Sequence, residues 1–98
     1  MSYQKPEFKP QYENYIGGEW VAPVDGEYFD DTSPVDGSHL TRVPKSNSKD
    51  IDLAVKAAGQ AADAWGKTSA TERGNIMFKI AERIEENLES LALVESWD

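Results

Sequence analysis

Ninety-eight residues carry 18 acidic and 10 basic side chains, a net charge of −8, and no cysteine. An acidic surface repels phosphate backbones and anionic headgroups, which argues against nucleic acid or a membrane surface as partner, and the missing thiols remove disulfides, thiolate metal sites and cysteine nucleophiles. No apolar run approaches the roughly 20 residues of a membrane span and the N-terminus lacks the apolar core of a signal peptide, so a cytoplasmic protein is expected.

Residues 1–14 are polar and contain Pro6 and Pro10, which interrupt both ladders and helices; they are expected to form a mobile arm. From Tyr15 to about Ser46 the signals are β. Tyr15-Ile16 and Trp20-Val21 flank Gly17-Gly18, a dipeptide suited to a tight hairpin turn because it tolerates positive φ. Asp25-Gly26 marks a second turn before Tyr28-Phe29. Asp36-Gly37 marks a third, after Pro34, and Leu40 to Val43 reads as a further strand. The expectation is a short antiparallel β meander, which is marginally stable by itself.

Helical patterning begins at Ser48, the expected N-cap, with Asp50 and Asp52 complementing the helix dipole. Ile51, Ala54, Val55, Ala58, Ala62 and Trp65 recur at three and four, and Gly66 is placed to stop the helix. Ser69 and Glu72 then form a capping-box pattern opening a second helix. Its stripe of Ile76, Met77, Ile80, Ile84, Leu88 and Leu91 is expected to run nearly to the last residue. That leaves Trp97 exposed at the end, which reads as a truncation. The pattern as a whole predicts an α+β fragment, a meander followed by two amphipathic helices.

Little in the sequence carries chemistry. His39 is the only histidine and reads as a surface residue without a partner for a metal site. Glu82, Glu85, Glu86 and Glu89 sit at helical spacing and read as a solvated face. Asp30 and Asp31 are adjacent in a strand, so their side chains point to opposite faces. There is no G-x-G-x-x-G or phosphate-loop pattern and no nucleophile-elbow serine.

Three stretches together resemble the opening of the aldehyde dehydrogenase family. The first is Tyr15-Ile16-Gly17-Gly18-Glu19-Trp20-Val21. The second is Tyr28 to Pro34 followed by Asp36-Gly37. The third runs from Asp50-Ile51-Asp52 through Ala54-Val55, Ala64-Trp65 and Glu72-Arg73 to Leu91-Ala92 and the closing Glu95-Ser96-Trp97-Asp98. The nearest subgroup in this resemblance is the bacterial acetaldehyde type. One departure is Ser33, where the family usually has asparagine, and a looser turn is expected there.

The resemblance implies that residues 15–98 are the incomplete N-terminal part of an α/β NAD(P)-binding domain. The full enzyme would oxidise an aldehyde to a carboxylic acid with NAD or NADP, as a homo-oligomer. It also implies that the nucleotide-binding glycines, the catalytic cysteine, the general-base glutamate and the oxyanion-hole asparagine lie outside these residues. The chain alone is therefore expected to be inactive and to bind no cofactor. Some members hold a monovalent cation near backbone oxygens of the second strand and by the last carboxylate of the third motif; position by position, those residues are Asp31, Thr32 and Asp98. The competing reading is a free-standing, non-catalytic helical module that binds a partner, or itself, through its apolar stripes.

Overall fold

The computed structural model describes residues 4–98; the first three residues of the expected arm lie outside the described part. Strands β1 (Asn14–Ile16) and β2 (Glu19–Val21) form a hairpin closed by Gly17 and Gly18, at φ 63° and 84°. Two successive positive-φ residues match the right-handed twist of the strands they join. Across this hairpin the Tyr15 and Trp20 rings lie 4.8 Å apart, tilted by 53°. Strands β3 (Tyr28–Thr32) and β4 (His39–Pro44) form a second antiparallel pair, whose register shifts between Asp31 and Thr32.

The four strands thus make two separate ribbons rather than one continuous meander. The cause lies in the β2–β3 connection, where Val24 and Asp25 are tied to the start of the first helix instead of to a strand. The Val24 amide donates to Asp50 Oδ1 at 2.8 Å, and Asn47 Nδ2 and Lys49 Nζ both donate to the Asp25 carboxylate.

Helix α1 spans Ser48–Gly66, and its N-cap is Asn47, one residue before the expected Ser48. The Asn47 side chain accepts from the Lys49 amide at 2.9 Å, while Asp50 Oδ2 accepts from the Asn47 amide at 3.0 Å. Gly66 is the last helical residue, not a left-handed stop. The orphan carbonyls are met otherwise: Lys67 and Thr68 amides bond Ala64 and Trp65, and the Thr68 hydroxyl adds a 2.6 Å bond to the Trp65 carbonyl.

Helix α2 (Ala70–Glu86) opens on Ser69, whose hydroxyl accepts from the Glu72 amide. The single long second helix that the pattern predicts is in fact two, because the chain breaks at Asn87 before α3 (Leu88–Trp97). Asn87 leaves helical geometry at φ −113° and ψ 17°, and its amide nitrogen Nδ2 donates to the Arg83 carbonyl at 2.8 Å. Side-chain competition of this kind for backbone carbonyls is how asparagine interrupts helices.

The expected arm, residues 1–14, is docked on the sheet over much of its described part. Lys9 to Tyr12 run parallel to β4, with the Tyr12 amide donating to the Arg42 carbonyl and the Arg42 amide to the Pro10 carbonyl. The shape is a slab of 48 × 38 × 17 Å with a radius of gyration of 17.1 Å, against about 13 Å for a compact chain of this length. Its accessible surface is 7784 Å², whereas a compact monomer of 10.9 kDa exposes about 5,600 Å². The difference is roughly 2,200 Å²; Ile76, Ile80, Ile84 and Leu91 on the helices are all exposed, and Leu40 is the one buried hydrophobic residue among those described.

Candidate functional site

The C-terminal end of α3 meets the end of β3, and two of the three residues singled out for a cation come together there. Asp31 is on the partly buried face of β3, and its carboxyl is hydrogen-bonded to that of Asp98. That bond, burial and the charge of Asp98 push the Asp31 carboxyl above its usual range, while His39 pulls it the other way. A neighbouring carboxylate disfavours the charged form of Asp31, and a positive charge beside it would favour that form. Thr32 follows Asp31 at the register shift and is exposed. No third carboxylate, histidine or cysteine completes a cluster among the described residues.

Ser33 holds this junction together. It is 2% exposed, its hydroxyl donates to the Trp97 carbonyl, and the same oxygen accepts from the Val35 amide at 3.2 Å. The Ser33 amide and carbonyl also close the turn, to the Ser38 carbonyl and from the Gly37 amide, both at 2.8 Å. The looser turn expected from serine is therefore not found: serine supplies the same kind of side-chain-to-backbone bond and ties the turn to α3 as well.

The remaining sequence candidates stay apart from the junction. Asp30 leans away from Asp31 to His39 Nε2, 3.2 Å distant, in an exposed pair. Glu82, Glu85, Glu86 and Glu89 are exposed on α2 and α3. An open apolar groove of 460 Å³ runs between α2 and α3, lined by Ile76, Ile80, Ile84 and Leu91 with Lys79 and Arg83 at its rim.

Sequence reasoning missed Asp50 as more than a dipole partner. It is 3% exposed and spans from the α1 cap to Val24; the capping spacing was visible, the partner 26 residues away was not. It also missed Tyr28. Its phenol donates to Glu13 Oε2 at 2.5 Å, with the Arg42 guanidinium 5.1 Å from the ring centre. The bond to Glu13, burial and the Glu13 charge raise the phenol above its ordinary value, and Arg42 opposes them.

The sequence matches the profile described as "Aldehyde dehydrogenase family" over residues 20–98. It is 57% identical over 98 residues to a long-chain-aldehyde dehydrogenase of Acinetobacter sp, covering 100% of this chain and 20% of that protein. It is 60% identical over 91 residues to an acetaldehyde dehydrogenase of Pseudomonas aeruginosa, covering 93% of this chain and 18% of the relative. Among solved structures, it is similar to that of PnpE in complex with nicotinamide adenine dinucleotide. The TM-score is 0.85 at 46% identity, over 89% of this chain and 18% of the other. The chain thus spans about a fifth of the length of the curated relatives it matches.

Proposed function

We propose a scaffolding role for this chain, which belongs to the aldehyde dehydrogenase family and corresponds to an N-terminal portion of such an enzyme. In the whole protein the activity is oxidation of an aldehyde to a carboxylic acid with NAD or NADP, in the cytoplasm and within a homo-oligomer. The observation that carries the scaffolding role is the roughly 2,200 Å² of surplus surface, together with the exposed helix residues Ile76, Ile80, Ile84 and Leu91. Helices α1 and α2 present one-sided stripes that need a neighbouring layer to bury them. The long-chain- and acetaldehyde-directed relatives point to an unbranched aldehyde as substrate.

The residues present here do not fit a nicotinamide cofactor. No glycine-rich strand-to-helix turn exists in the sequence to receive a pyrophosphate, so no catalytic step is assigned to this chain. They do fit a monovalent cation in part. Asp31 and Asp98 would hold it with two carboxylates and Thr32 with a backbone oxygen, and the ion would supply a positive charge between the two carboxylates. The support is the adjacency of the two carboxyls at the β3–α3 junction.

The test is direct. The purified chain, mixed with acetaldehyde and NAD, should form no NADH and bind NAD no more tightly than the millimolar range; turnover by the pure chain would overturn the reading. Potassium should raise the melting temperature of a full-length relative more than lithium does, and Asp98→Ala, at the matching position, should remove the difference. Equal effects of both salts in the parent would remove the cation site.

A further inference from the structure

We infer that residues 5–13 are a strap that seals the outer edge of β4 against addition of a strand from a second copy of this chain. A two-stranded ribbon presents unpaired backbone groups along both edges, which invites strand addition. On β4 the outward-facing amide and carbonyl of Arg42 are both taken by the arm, from Tyr12 and to Pro10, at 3.0 and 3.3 Å. Two residues on, Pro44 has no amide to offer.

The arm is fastened by side chains as well. The hydroxyl of Thr41, 3% exposed, donates to the Lys9 carbonyl at 2.6 Å. Lys5 Nζ reaches the Ser38 hydroxyl and the His39 carbonyl at 2.8 and 3.0 Å, and Glu13 receives the Tyr28 phenol.

An added strand moves the exposed edge outward, but the arm meets β4 at a single bridge, Gln11 to Arg42, too short to seed a further ladder. The Lys9 amide is capped by the phenol oxygen of Tyr12 at 3.2 Å, Pro6 and Pro10 lack amides, and the Gln11 side chain is turned onto Glu13. The opposite edge of the ribbon, along β3, carries the adjacent carboxylates of Asp30 and Asp31, and charge on an edge opposes pairing. Pro6 and Pro10, which mark the arm as irregular in sequence, also keep it from lengthening into a full strand along β4.

The test is amide exchange at Arg42 in the full 98-residue chain. Wild-type Arg42 should be protected to the same degree at any protein concentration. In Thr41→Val, which removes the hydroxyl that ties the arm to β4, exchange at Arg42 should speed up by about tenfold in dilute solution. Protection should return as concentration rises, because a second copy then takes the edge. Lys5→Met, which leaves the buried Thr41 intact and removes the ties to Ser38 and His39, should show a smaller loss of the same kind. An unprotected Arg42 amide in the wild type overturns the proposal, as does lost protection that no concentration restores.

Discussion

Asp50→Ala tests the joint that separates the two ribbons. Asp50 is almost fully buried, and its carboxylate accepts from the Asn47 amide at 3.0 Å and the Val24 amide at 2.8 Å. Alanine leaves both amides without their charged acceptor. A hydrogen bond to a charged group is worth about 1.5–3 kcal/mol, and part of the loss is recovered where water reaches the cap. A local destabilisation of about 2–4 kcal/mol is therefore expected, including the lost cap and the lost negative charge at the α1 N-terminus. Every 1.4 kcal/mol is a factor of ten, so exchange at Val24 and Asn47 should accelerate by about 30-fold or more. Asp50→Asn keeps one acceptor oxygen but turns a donor toward the second amide, so it should fall between the two. The assay is residue-resolved hydrogen exchange with far-UV dichroism as a check that α2 persists. Unchanged exchange at both amides in Asp50→Ala would refute the reasoning.

Ser33→Ala should free the end of α3, costing about 1–2 kcal/mol for the lost bonds to Trp97 and Val35, seen as faster exchange or proteolysis near Trp97. Gly18→Ala should cost about 1–2 kcal/mol: Gly18 sits at φ 84° with open space around it, so strain alone decides. Asp31, raised in the folded chain, binds its proton more tightly there than when unfolded. The Asp31–Asp98 contact should therefore contribute fully below the unfolded pKa of about 3.9 and fade as pH rises through the raised folded value. Carboxyl carbon shifts would follow it, and Asp98→Asn should bring Asp31 back toward its usual range. Glu13→Gln should lower the Tyr28 phenol pKa, read by spectrophotometric titration; an unmoved midpoint would remove the Glu13 bond as its cause.

Much of the local structure was legible because its causes are local. Gly17-Gly18 dictates a hairpin and Ser69 a helix start, and each depends on residues within a turn of itself. The break at Asn87 was hidden because Ile84, Leu88 and Leu91 keep helical spacing across it; the asparagine itself was the available signal. Gly66 misled in the opposite direction, since Thr68 satisfied the carbonyls that a left-handed glycine usually serves.

What spacing cannot show is contact between distant residues. Asp50 reaches Val24, Ser33 reaches Trp97 and Thr41 reaches Lys9 across 26, 64 and 32 positions. Those are the bonds that split the meander, tied α3 to the β3–β4 turn and docked the arm. The pairing of Asp31 with Asp98 came only from the family resemblance, because periodicity places the two residues in unrelated elements.

The scaffolding claim is tested most directly by exchange of the whole segment. The 91 residues that align with the Pseudomonas aeruginosa acetaldehyde dehydrogenase would replace their counterparts in that enzyme. Acetaldehyde oxidation by the chimaera should stay within about tenfold of the parent, a loss of no more than 1.4 kcal/mol in transition-state stabilisation. A chimaera that folds and assembles like the parent but no longer oxidises acetaldehyde would contradict the account, because the segment would then contribute chemistry and not only support.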